Sequence, residues 1–199
     1  MTPCEIVIYK NHKIEIYPDD YPMNPITDFD TLGKFICFHR RYDLSNDKRF
    51  SCPDDVREYA KENKCRLYPL YLYDHSGITI RLSPFSCPWD SGQVGWVMLE
   101  PEDLKKEYSV KRLSKKHWED AERIIRHEVE TFDDYLTRNV YGYKMFDPEG
   151  EECDSCWGFF GNWKGYMLTE CKDVIDHKLQ REQDDKVKWF NEQVVSLCY

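Results

Sequence analysis

Ile6 and Ile8, then Ile14 and Ile16, alternate with polar residues on either side of Asn11-His12. Apolar positions of period two around a short polar turn predict a β-hairpin. A loop rich in Pro, Asp and Asn follows over residues 18–30, and Phe35-Ile36-Cys37-Phe38 then forms a short apolar run expected to be a buried strand. Residues 53–65 suit a helix, with Pro53 in its first turn and Asp54 and Asp55 near the positive end of its dipole. Residues 67–73 make the most strand-like run, dense enough in aromatic and aliphatic side chains to be buried on both faces as a central strand. Residues 78–82 and 94–99 supply two further strands.

Pro101 opens a short helix through Tyr108, and Ser114 caps a long one over residues 115–137. In that long helix Trp118, Ala121, Ile125, Val129, Phe132 and Leu136 recur at helical spacing. Strands over 140–146 and 153–159 flank Asp147-Pro148-Glu149-Gly150, a turn sequence in which Pro presets φ and Gly accepts φ > 0. Two helices, over 164–179 and 184–197, finish the chain. The pattern predicts one α+β domain over residues 1–199: a mostly antiparallel sheet, a long amphipathic helix and two C-terminal helices.

Composition adds the setting. Of 199 residues, 41% are apolar and 15% aromatic, which suits a packed core and not a disordered chain. No run approaches the roughly 18–20 apolar residues that span a bilayer, so no membrane partner is expected. Residues 1–10 lack the basic and apolar regions of a signal peptide, and the nine cysteines are scattered. Free thiols in a reducing bacterial cytoplasm are the expectation. The formal charge of −9 is uneven: residues 119–154 carry twelve acidic and four basic side chains. Such a field repels nucleic acid and attracts basic protein surfaces. The basic stretches, His39-Arg40-Arg41 and the lysines and arginine over 105–116, are too few to reverse that reading.

Three sets of residues carry candidate chemistry. On the long helix, Glu119, Glu122, Glu130, Asp133 and Asp134 form an acidic stripe; with Glu149, Glu151 and Glu152 of the acidic turn they are the expected partner-binding residues. At the end of the expected central strand, Asp74 and His75 precede a loop of two prolines and two aromatics that carries Cys87, Trp89 and Asp90. Asp, His and Cys on neighbouring loops are the parts of an oriented imidazole and a thiol nucleophile, the alternative, catalytic assignment. The plainer reading is turn capping. Third, Cys153 and Cys156 have the spacing of a zinc half-site, with Cys171 and His177 as possible further ligands. A separation of three places them on opposite faces of a strand, which favours buried structural thiols. No cofactor is called for: glycine-rich phosphate loops, HExxH and GxSxG are absent from the sequence.

Several strings taken together carry a resemblance: Phe38-His39-Arg40-Arg41-Tyr42, Tyr71-Leu72-Tyr73-Asp74-His75-Ser76-Gly77, residues 84–95 (PFSCPWDSGQVG), residues 128–136 (EVETFDDYL) and Asp154-Ser155-Cys156-Trp157-Gly158-Phe159. Over roughly residues 24–165 the chain resembles a family of hypothetical proteins of bacteriophage and plasmid genomes. The resemblance implies a small accessory protein of a mobile element, working inside a bacterial host, and implies no catalytic residue. With the acidic field it gives the functional expectation: a protein that binds and inhibits or redirects a host or defence-system protein, an anti-CRISPR or anti-restriction factor that imitates the charge of DNA. A small enzyme or small-molecule binder at the Asp74–Asp90 loops is the alternative.

Overall fold

The computed structural model describes residues 2–197, with side chains as far as residue 193. In chain order the elements are β1 (Glu5–Tyr9), β2 (His12–Pro18), β3 (Lys34–Cys37), α1 (Pro53–Glu62), β4 (Arg66–Asp74) and β5 (Ile78–Arg81). They continue with β6 (Ser91–Leu99), α2 (Pro101–Glu107), α3 (Lys115–Leu136), β7 (Val140–Phe146), β8 (Glu152–Phe160) and α4 (Tyr166–Leu197). The α+β class and the antiparallel pairing are as the pattern predicts, but the strands make two four-stranded sheets. The chain divides into two compact units, Met1–Asp20 with Val140–Tyr199, and Tyr21–Asn139.

The first unit holds the sheet β1-β2-β7-β8. Its opening hairpin pairs Tyr9 with His12, so the two turn residues are Lys10 and Asn11, at φ 45° and 63°. Two positive φ values in a two-residue turn match the right-handed twist of the flanking strands. Ile14, Ile16, Tyr143 and Met145 pack with Met167, Cys171 and Ile175 of α4. Those three α4 residues are four apart, one stripe of a helix. α4 runs 32 residues without a break, about 48 Å at 1.5 Å per residue. The expected break between two C-terminal helices is not there. Residues 180–183 contain neither Gly nor Pro, and the Gln180 side chain donates to Asp184 at 2.9 Å across the expected gap. Residues 181–193 are exposed, with Trp189 and Phe190 each 62% accessible.

The second unit holds the sheet β3-β6-β4-β5, in which β4 is an inner strand. α3 lays Ala121, Ile125, Val129 and Phe132 into a core with Phe35, Leu70, Leu72, Ile80, Val97 and Leu99. Ile36 and Met98 pack instead with Val56 and Ala60 of α1. Successive strand residues point to opposite faces, so alternate positions of one strand feed the two clusters. Both edges of this sheet are occupied by side chains. On β3, Phe35 N–H donates to the Asn46 Oδ1 at 2.7 Å and Cys37 N–H to Ser45 Oγ at 2.8 Å. On β5, Ile80 N–H donates to Asp133 at 2.7 Å. A blunted edge does not recruit a further strand.

Candidate functional site

The sheet of the second unit delivers Asp74 at the end of β4, Asp90 just before β6, and residues 39–42 just after β3. The four residues of the catalytic alternative meet there. Asp74 N–H donates to the Asp90 carbonyl at 2.8 Å, which clamps the two loop ends together. The Asp90 carboxylate lies 3.4 Å from His75 Nδ1, and Cys87 Sγ approaches the same oxygen at 3.8 Å. Asp74 turns the other way. Its carboxylate takes the Arg41 guanidinium and, at 3.2 and 3.3 Å, the Tyr42 hydroxyl.

The order of contacts decides what this cluster can do. A thiol nucleophile needs the imidazole beside it, with the carboxylate behind the imidazole. Here the Asp90 carboxylate stands between His75 and Cys87, so it holds both side chains but gives the thiol no imidazole base. His75 is 64% and Asp90 43% exposed, and water at that level weakens the contact between them. The geometry is that of a braced loop, not of an assembled nucleophile.

The bracing is extensive. Arg81 donates through Nε to the Ser83 carbonyl at 2.9 Å and also bonds the Pro84 carbonyl, with its guanidinium 3.8 Å from the centre of the Phe85 ring. Phe85 stacks on Tyr73 at 5.5 Å, and Tyr73 stacks on His75 at 5.9 Å. Ser91 Oγ bonds the Cys87 carbonyl. Out of this frame Trp89 projects with 91% of its surface accessible.

The acidic residues are distributed differently. Glu119, Glu122, Glu130, Asp133 and Asp134 lie on α3 in the second unit; Glu149, Glu151 and Glu152 lie at the β7–β8 turn in the first. On α3, Asp133 accepts from both the Thr79 hydroxyl at 2.6 Å and Ile80 N–H. Glu122 binds Arg126 at 2.6 Å and Tyr68 at 3.3 Å. Burial pushes the Asp134 carboxyl above the ordinary aspartate range against the opposing donation from Asn139, and nearby Asp133 and Glu130 add to the rise. Glu119 and Glu130 stay exposed, 3.4 Å from Lys115 and 4.0 Å from His127. At the turn, Glu152 pairs with Lys144 at 2.8 Å.

Cys153 and Cys156 are free but exposed, not buried as expected, because β8 is largely solvent-accessible along its length; Cys171 is buried in α4. Among the described residues no group of three or more His, Cys, Asp or Glu side chains is arranged to hold a metal ion. No described helix is long and apolar enough to cross a membrane. Sequence reasoning missed Arg41 and Tyr42 as partners of Asp74, and it missed Glu128, whose carboxylate accepts Leu32 N–H at 2.6 Å and Gly33 N–H at 2.9 Å. No local signal marks these pairings, which join residues 32 to 96 positions apart. No protein-family model, curated protein or solved structure matches the chain.

Proposed function

We propose that this chain acts by binding another protein, and that the Trp89 loop of the second unit is the surface that makes the contact. One observation carries the reading: a fully solvated indole on a loop held rigid by the Asp74–Asp90, Ser91–Cys87 and Arg81–Phe85 contacts. Tryptophan dominates the energetics of protein interfaces, and a rigid loop loses little freedom on binding. Arg40, also exposed, lies near this end of the sheet and supplies a polar rim. The partner class follows from the mobile-element resemblance: a host or defence-system protein that the chain inhibits or redirects. No turnover and no cofactor enter this reading. Exposed Glu119 and Glu130 support a second, acidic contact surface on α3, which imitates nucleic-acid charge.

Affinity capture from the bacterial host separates the two surfaces. With Trp89→Ala, a stoichiometric partner held by the wild-type chain is lost, while the Glu119→Gln/Glu130→Gln pair retains it. Loss with the glutamine pair alone moves the contact to α3. Equal capture by all three chains, or no stoichiometric partner for the wild type, overturns the proposal.

A further inference from the structure

A cavity of about 290 Å³ opens in the second unit between the start of α1 and the sheet, and Trp89 is not among its lining residues. Phe38, His39, Pro53, Arg57, Gln93 and Trp96 line it. α1 is ten residues long and covers one part of the sheet face carrying Ile36 and Met98, leaving Phe38 and Trp96 half-buried at its margin. Their rings meet edge to face at 6.3 Å, nearly perpendicular, making an aromatic corner. The Arg57 guanidinium stands 5.2 Å from the centre of the Trp96 ring.

The polar groups are set for one kind of ligand. His39 Nδ1 accepts N–H bonds from Arg41 and Tyr42, both at 3.3 Å, so the neutral ring carries its proton on Nε2 as a donor. Arg57 uses one terminal nitrogen on Asp54 at 2.8 Å, a pair in which the two side chains are 60% and 87% exposed. An ion pair that wet is worth little and yields readily to a ligand anion. The second terminal nitrogen of the guanidinium extends the fork. Gln93 spends its amide nitrogen on the Gly95 carbonyl at 3.1 Å, keeping its oxygen as an acceptor. Pro53 has no N–H to offer, so the positive charge at the rim comes from the Arg57 side chain.

We propose that this cavity binds a small planar anion: an aromatic ring laid against Trp96 and Phe38, its carboxylate or phosphate held by Arg57 and the His39 Nε2–H, a ring hydroxyl or amine donating to Gln93. Aromatic walls with a few convergent polar groups are the usual make-up of a small-ligand site. The volume admits one ring and its acidic group. The proposal does not depend on Trp89.

The test is a titration of the full chain with 4-hydroxybenzoate and with 4-hydroxyphenyl phosphate, followed by the NMR shifts of the Trp96 indole N–H and the Arg57 Nε–H. The neutral analogues 4-hydroxybenzyl alcohol and 4-methoxyphenol serve as references. Saturable shifts are expected with one of the acids, whose identity separates carboxylate from phosphate. The neutral partner should bind roughly tenfold more weakly, and Arg57→Gln should erase that difference while leaving the neutral compound unchanged. Arg57 is exposed, so the variant folds. No saturable shift with either acid up to about 10 mM, or equal binding of acid and neutral analogue, overturns the proposal.

Discussion

Asp133 on α3 accepts the backbone N–H of Ile80 on the outermost strand of the second unit, at 2.7 Å, and the Thr79 hydroxyl through the same oxygen at 2.6 Å. A helix carboxylate therefore completes a sheet edge. Replacing it leaves a half-buried peptide N–H without a partner, a loss of about 1–3 kcal/mol. Asp133→Ala should lower the unfolding free energy by that amount, read as a lower denaturation midpoint at unchanged slope. Asp133→Asn keeps an acceptor oxygen and should cost less. Glu130→Ala, on the same helix but exposed, should change stability by no more than about 0.5 kcal/mol. Equal effects of the three variants would refute the edge-completing role.

Glu128 sits in a different balance. Burial pushes its carboxyl above the ordinary glutamate range, and the N–H groups of Leu32 and Gly33 pull it partly back. A carboxyl with a raised pKa holds its proton more tightly when folded than when unfolded, so its contribution to stability is full below the unfolded pKa and fades as pH rises through the folded one. A ¹³C titration should place the Glu128 midpoint above the ordinary range of an exposed glutamate. A midpoint at or below the exposed value contradicts the assignment.

Gly95 is set where β3 and β6 pair most closely. A Cβ there would stand 1.8 Å from the Ile36 carbonyl oxygen, and its nearest neighbours are all β3 backbone atoms of Ile36 and Cys37, with no flexible side chain to yield. Gly95→Ala should lose at least about 1–3 kcal/mol, the usual range for overpacking. Gly92→Ala is the control, since a Cβ there meets nothing within 4 Å. The denaturation midpoints of the two variants should differ clearly.

The thiols give a reading of burial. Desolvation pushes the Cys171 thiol up to about 12 and the Cys65 thiol to about 11. Only the thiolate alkylates, so neither should react at pH 7.5 in the native protein. Exposed Cys4 and Cys156 should label with iodoacetamide. Peptide mapping checks this, and early labelling of Cys171 would mean that the α4 packing is not as described.

Much of the secondary structure could be read from local pattern, because period-two and helical spacing act over a few residues. The α3 stripe and the interior place of β4 follow from Ala121, Ile125, Val129 and Phe132, and from Leu70 and Leu72. The meeting of Asp74, His75, Cys87 and Asp90 was legible as well, since strand ends gather loops. Their order of contact was not. Whether Asp90 or His75 faces Cys87 depends on loop geometry fixed by Arg81 and Ser91. The sequence likewise marks Asp133 as one charge of an acidic face, and nothing within a few residues shows that Thr79 and Ile80 claim it. The expected gap in α4 falls on Gln180, Arg181, Glu182 and Gln183, which are good helix formers with no breaker among them.

β2 pairs with β7 from Lys13↔Phe146 to Pro18↔Tyr141, and Asp19 N–H reaches the Val140 carbonyl at 2.8 Å. Translation makes this ladder wait. The first hairpin leaves the ribosome long before its partner strand exists, and at 5–20 residues per second the delay for residues 21–139 is roughly 6–24 s. During that interval the hairpin has no third strand, and two strands alone are marginal in water. Tyr21–Asn139 carries its own sheet and helices and emerges complete before β7 arrives. The later-synthesised module is thus placed to finish folding first, and the earliest strands of the chain are among the last to be secured.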